Sequence, residues 1–189
     1  MRVAQQRIEP VGSTDLLWRC HAGPVTIEVP PPTVELDGAP VTLATRLVHT
    51  DTTALPNGAV EDVFEGQVEG QDGLLLRLRC RTAPDHPVVR FRYELQSSDR
   101  LRLTKSEGTD RFHLLSVDLP HGEAVEVRLS DYHGLAHSYV VTEAAVTPAD
   151  LRAGRLVMGP LLTWPLADGH ALLAYEHGSQ YPDCYLGFR

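Results

Sequence analysis

The chain has 189 residues, 17 Lys and Arg against 25 Asp and Glu, and a net charge of −8 at pH 7. Hydrophobic residues make up 42% and charged residues 22%, a composition ordinary for a water-soluble globular protein with a core of its own. The acidic balance argues against nucleic acid and anionic membrane surfaces as partners, and no apolar run approaches the ~18 residues of a membrane span.

Period-two alternation dominates from the first third of the chain. Val25, Ile27 and Val29 alternate with Thr26 and Glu28. Val34 and Leu36 run into Asp37-Gly38, and Val41 and Leu43 follow, which reads as strand, tight turn, strand. A polar stretch, Val48-His49-Thr50-Asp51-Thr52-Thr53, then leads into Leu55-Pro56-Asn57-Gly58.

Leu74, Leu76, Leu78 and Cys80 alternate with Arg77, Arg79 and Arg81, and Val89, Phe91, Tyr93 and Leu95 with Arg90, Arg92 and Glu94. Leu101 and Leu103 continue the pattern, as do Leu115, Val117 and Leu119, and then Val125, Val127 and Leu129. In each run the named apolar residues are expected to face a core. Turn signals separate the runs: PNG at 56–58, QDG at 71–73, SEG at 106–108, PHG at 120–122 and ADG at 167–169.

The best helix signal is short. Thr147 is a candidate N-cap, Pro148 suits the first helical position, and Gly154 can end the helix a turn later. The expected fold is therefore all-β: one large antiparallel β-sandwich over residues 1–189 with at most one or two short helices. The final YLGFR still has strand character, so the chain is expected to be a piece of a longer one.

Several residues invite a chemical reading. Cys20, Cys80 and Cys184 are an odd number at wide spacing, which fits neither a disulfide framework nor a CxxC metal site. With no apolar signal-peptide core in MRVAQQRIEP, a reduced, cytoplasmic setting is expected. His133 and His137 would share a face of a helix, but on strands they stand roughly 13 Å apart, too far for one zinc ion, so no metal and no cofactor is expected. No GxSxG occurs, and HGSQ at 177–180 lacks the later glycine of a nucleophile elbow.

The Arg77, Arg79, Arg81, Arg90 and Arg92 set forms a basic stripe on two neighbouring strands. It reads as a solvated face paired with acids of an adjacent strand, with an interface to another domain as the rival. Trp18, Trp164, Tyr175 and Tyr181 could stack on sugar rings. The densest polar stretch is LAYEHGSQYPD at 173–183, where Glu176 and His177 could serve as acid and base only if Gly178 reorients them, since neighbours on a strand face opposite ways. A strand end, a turn through Gly178 and a new strand after Pro182 is the simpler reading.

Three stretches carry a family likeness: VVRFRYELQSSDRLRLTKSEGTDRFHLLSVDLP at 88–120, VEVRLSDYHGLAHSYVVTE at 125–143 and LVMGPLLTWPLADGHALLAYEHGSQYPD at 156–183. Together they resemble the N-terminal β-supersandwich domain of bacterial α-galactosidase-like enzymes of glycoside hydrolase family 36. The resemblance implies a following (β/α)₈ barrel that holds two catalytic Asp residues and retains anomeric configuration. No part of this chain reads as that barrel, so no catalytic residue is assigned here.

The resemblance further implies a sandwich that packs on the barrel, helps build a homo-oligomer and can lend a polar loop to the sugar site, a loop expected here at Val48-His49-Thr50-Asp51-Thr52-Thr53 running into Leu55-Pro56-Asn57-Gly58. Residues expected near carbohydrate are Asp51, Asn57, Trp164, Glu176, His177 and Tyr181. Two rival readings stay open: a free-standing carbohydrate-binding module with Trp164 and Tyr181 at its site, and a mutarotase-like sugar epimerase with Glu176 and a His as base and acid.

Overall fold

Most of the alternating runs become strands, and the fold is all-β and sandwich-like, built from antiparallel sheets. The computed structural model describes residues 6–13, 15–22, 25–84, 86–104, 124–133, 138–146, 156–157, 161–166, 169–174 and 186–187. The chain divides into two units, Met1–Asp118 and Leu119–Arg189.

Unit 1 contains nine described strands: β1 (Arg7–Pro10), β2 (Trp18–Ala22), β3 (Val25–Val29), β4 (Thr33–Leu36), β5 (Ala39–Thr42), β6 (Val48–Ala54), β7 (Val60–Gln67), β8 (Leu74–Ala83) and β9 (His86–Ser97). They form a sheet β1-β2-β3, a hairpin β4-β5 and a sheet β6-β7-β8-β9. The core lies where the apolar faces meet. Trp18 and Cys20 of β2 and Val29 of β3 share one buried cluster with Leu74, Leu76, Leu78 and Cys80 of β8 and Phe64 of β7. Phe91 and Tyr93 of β9 pack against it as expected, with Phe91 edge-on to Trp18 at 5.0 Å between ring centroids. The Trp18 indole Nε1 donates to the Tyr93 hydroxyl at 2.8 Å, giving the buried N–H its partner.

The Asp37-Gly38 turn joins β4 and β5 with φ of +50° and +83°, the left-handed pair that a two-residue hairpin requires. Asp37 also holds the chain beyond β9: its N–H donates to the Arg102 carbonyl at 2.9 Å, and its carboxylate accepts from the Arg102 N–H at 3.2 Å. Residues 101–103 depart from the expected strand. They contribute a single bridge, Leu36 to Leu103, and both Leu101 and Leu103 are exposed. Two leucines are too few to hold a strand when the backbone is already satisfied through Asp37, Glu35 and Thr104.

Unit 2 contains β10 (Ala124–His133), β11 (Ser138–Val146), β12 (Leu156–Val157), β13 (Leu161–Leu166), β14 (Gly169–Ala174) and β15 (Leu186–Gly187). One sheet runs β11-β10-β13-β14, and β12 pairs with β15. Its buried cluster is Ala124, Val146, Leu162 and Trp164, with Leu166, Ala171 and Leu173 packed on it.

Here the alternation in β10 misleads. Val125 and Val127 are only half-buried, while Ala124 and Glu126 on the other face are 1% and 0% exposed. The larger valines were expected to mark the core face. The Glu126 face takes that place because it looks onto Leu162 and Trp164 of the neighbouring strand. The expected helix at Thr147–Gly154, the run Leu115–Leu119 and the turns at 106–108 and 120–122 lie outside the described residues.

Candidate functional site

The arginine stripe is resolved as a cross-strand lattice. β8 lies between β7 and β9, and its register sets Arg77 opposite Glu65 and Glu94, and Arg81 opposite Glu61 and Arg90. Arg79 donates to Glu61 at 2.9 Å and to Glu94 at 2.9 Å, Arg81 donates to Glu61, Arg77 to Glu65 and Glu94, and Arg92 lies 2.8 Å from Glu94. These carboxylates come from both neighbouring strands, so the paired reading of the stripe holds. Two like-charge pairs, Arg79 with Arg92 and Arg81 with Arg90, face each other directly across the ladder. Such pairs are unfavourable alone, and Glu61 and Glu94 offset them.

Electrostatics follows from this geometry. Hydrogen bonds from Arg81, and then Arg79, hold the Glu61 carboxyl below its usual range against the opposing effect of burial. At Glu94 burial pushes upward, but the bonds from Arg79 and Arg77 outweigh it and the carboxyl again sits low. On the other side of these bonds, Glu65 and then Glu94 raise Arg77, and Glu94 and then Glu61 raise Arg79. The face is a fixed array of charged hydrogen bonds with its acids ionised at neutral pH, which suits a surface rather than proton transfer.

Of the residues expected near carbohydrate, Asp51 and Asn57 lie on the β6–β7 hairpin. The polar stretch expected to be a loop is largely strand: Val48–Ala54 is β6, exposed throughout, and paired on its described side with β7. Its register slips at Thr50, which β7 answers with no residue of its own. The slip puts His49 and Thr52 on one face beside Asp62 of β7. The Thr52 hydroxyl donates to Asp62 at 2.6 Å, and His49 Nε2 lies 3.2 Å from the same oxygen and 2.8 Å from the hydroxyl.

A relay would need hydroxyl and carboxylate on opposite nitrogens of the ring. Both sit at Nε2 here, so the trio braces the bulge. Asp51 turns inward on its own strand, accepting from the Thr52 N–H at 2.9 Å and the Thr53 hydroxyl at 3.3 Å. Asn57 caps the turn, its side-chain oxygen accepting from the Ala59 N–H at 3.2 Å. Both residues are exposed, and both are engaged in shaping the hairpin.

Sheet β1-β2-β3 carries a second polar group, one that no spacing in the chain singles out. His21 of β2 lies between Thr26 of β3 and Glu9 of β1, with Nδ1 3.1 Å from the Thr26 hydroxyl and Nε2 3.1 Å from the Glu9 carboxylate. The bond from His21 is the main reason the Glu9 carboxyl is lowered. Arg19 and Glu28 pair beside it at 2.8 Å. The residues lie 12 and 5 positions apart in sequence, so only knowledge of strand register could have joined them.

Trp164 is on β13 in unit 2, 3% exposed and within the buried cluster. Glu176, His177 and Tyr181 lie outside the described residues, as does most of LAYEHGSQYPD. His133 ends β10, paired in register with Ser138, and His137 lies outside the described residues. Among the described residues no cluster of three or more His, Cys, Asp or Glu could hold a metal ion, and no helix is long and apolar enough to cross a membrane. Comparison with protein-family profiles, curated proteins and solved structures finds no match to this chain.

Proposed function

We propose that the chain is a non-catalytic β-sandwich portion of an α-galactosidase-like glycosidase, supporting a (β/α)₈ catalytic barrel and the contacts of a homo-oligomer. The observation that supports it is that strands run through the described parts of the three stretches with the family likeness: residues 88–97 lie in β9, 125–133 and 138–143 in β10 and β11, and 156–157, 161–166 and 169–174 in β12, β13 and β14. The ion-paired face of β7, β8 and β9 agrees with a supporting role, because rigid Arg–carboxylate lattices suit surfaces that stay put.

The test is an assay of the purified chain with an aryl α-galactoside. No turnover above buffer is expected. Turnover that survives purification and vanishes when one Asp or Glu of this chain is changed would overturn the proposal. Reading the gene beyond the codon for Arg189 is the companion test, and a barrel sequence with two catalytic Asp residues is expected there.

A further inference from the structure

The β11-β10-β13-β14 sheet is apolar on both faces. One face holds the buried cluster of Ala124, Leu162 and Trp164. On the other, register sets Val127 of β10 opposite Leu161 of β13, and Leu161 opposite Ala174 of β14. The next row runs Ala145, Val125, Thr163, Leu172 across the four strands. Val125, Val127 and Leu161 in the centre are half-buried. On the two edge strands, Leu172 is 60% exposed and Val141 is 62% exposed.

This arrangement is the reverse of what water selects. β10 buries a glutamate, Glu126, and turns its two valines to the other side. The same chain shows what its water-facing sheet faces look like. In unit 1, β1, β2 and β3 present Glu9, Arg19, His21 and Glu28, and β7, β8 and β9 present the arginine–glutamate lattice. On the unit 2 face the one formal charge among the described residues is Glu143, at the β11 edge. The face runs from Val141 to His170, with three positions on each of β11, β13 and β14 and two on β10. At ~33 Å² per position, the product of strand spacing and the two-residue repeat, it covers about 350 Å² in plane. The largest apolar patch on a soluble protein is of that order and is often a contact site.

We propose that this face docks on the same face of a second copy of the chain, sheet against sheet across a twofold axis. Its centre is Val and Leu with Ala beside them, the aliphatic surface by which stacked sheets pack. It offers no cluster of charge for a basic or an acidic partner to match. A twofold axis along the strands lays β11 of each copy over β14 of the other. The two Glu143 carboxylates then stand at opposite rims, three strand spacings or about 14 Å apart, with the valines in the middle. Two copies bury at least about 700 Å², short of the roughly 1,200–2,000 Å² of stable interfaces, so the dimer is a reversible one. The contact gives the oligomer proposed above a surface, and it stands on the pattern of this sheet rather than on the family likeness.

The test is sedimentation equilibrium of the full chain up to millimolar concentration. A monomer–dimer equilibrium is expected, tighter at high salt, which screens the −8 net charge of each copy. Leu172→Glu and Val141→Glu, with folding checked by circular dichroism, are expected to weaken the dimer about tenfold or more, because each copy then carries an unpaired carboxylate into an apolar contact. Val88→Glu, at a position 51% exposed on β9, is expected to leave it unchanged. In the wild type the methyl NMR signals of Val125, Val127 and Leu161 are expected to shift with concentration, which keeps the test decisive if a variant fails to fold. The proposal is overturned by a monomer at every concentration, or by methyl signals that ignore concentration. It is also overturned by association that weakens with salt, as a contact through the arginine stripe would, or by Leu172→Glu and Val141→Glu chains that dimerise like the wild type. None of these outcomes touches the turnover assay or the gene beyond Arg189, so the glycosidase proposal stands or fails separately.

Discussion

Trp18 and Tyr93 each bury a polar atom that the other satisfies, one from β2 and one from β9. Burial also pushes the Tyr93 hydroxyl pKa up, so it stays a neutral acceptor at any working pH. Trp18→Phe leaves Tyr93 without its donor, and Tyr93→Phe leaves a buried indole N–H. Each is expected to cost about 1–3 kcal/mol in urea unfolding. The double substitution should cost clearly less than the two singles added, because it strands neither partner. Strict additivity would show that the bond contributes nothing.

The thiols of Cys20 and Cys80 are in the same core, and burial raises both pKa values. A disulfide-exchange reagent at pH 8 is expected to modify neither until the protein unfolds, since the reactive species is the thiolate. Fast native labelling at either residue would contradict the burial found here. At this scale the sequence was legible where a side chain and its environment agree, as at Leu76 and Leu78, both fully buried as the alternation of β8 implied. It was not legible at Glu126, where a charged residue lies on the buried face and a neighbouring strand, remote in sequence, decides which face that is.

Hairpins were the most readable elements. Asp37-Gly38 announces its own geometry, because few residue pairs adopt two consecutive positive φ angles, and the predicted strands on either side are β4 and β5. Gly66 in β7 was not readable. Its glycine is needed for a close approach rather than a turn: a β-carbon there would meet the Thr45 hydroxyl and lie 2.5 Å from the Arg46 carbonyl oxygen. Thr45 is 1% exposed and donates to the Gln67 carbonyl at 2.6 Å, so it has little room to yield. Gly66→Ala is expected to destabilise unit 1 by about 1–3 kcal/mol, as overpacking in a core does. Thermal unfolding measures it. A neutral result would mean that 44–47 shifts freely against β7.

The hairpin of Asp51 and Asn57 shows the same division. Its polar composition read as a loop, but cross-strand bonds from β7 and a one-residue slip at Thr50 make most of it strand. Pairing of that kind depends on register, which composition does not carry.

For the molecule as a whole, charge makes two predictions that separate in pH. The sequence pI is about 5.5, so net charge passes through zero there and solubility should be lowest. Stability should not fall at that point. Glu61 and Glu94 have folded pKa values below their unfolded ones, so each binds its proton more weakly when folded. Their contribution is fully present above the unfolded value of about 4.3 and is lost as pH falls through the lowered folded values. The melting temperature should therefore stay flat through the solubility minimum and drop only below about pH 4.3. Glu61→Gln should lower the melting temperature at pH 7, since the neutral amide pairs less well with Arg79 and Arg81, and should shrink the drop on acidification. If instead the wild-type melting temperature falls between about pH 6 and 7, where histidine ordinarily changes charge, the acid response does not come from the arginine–glutamate sheet. If Glu61→Gln leaves the acid limb of the curve unchanged, the low Glu61 pKa inferred from its two arginines is wrong.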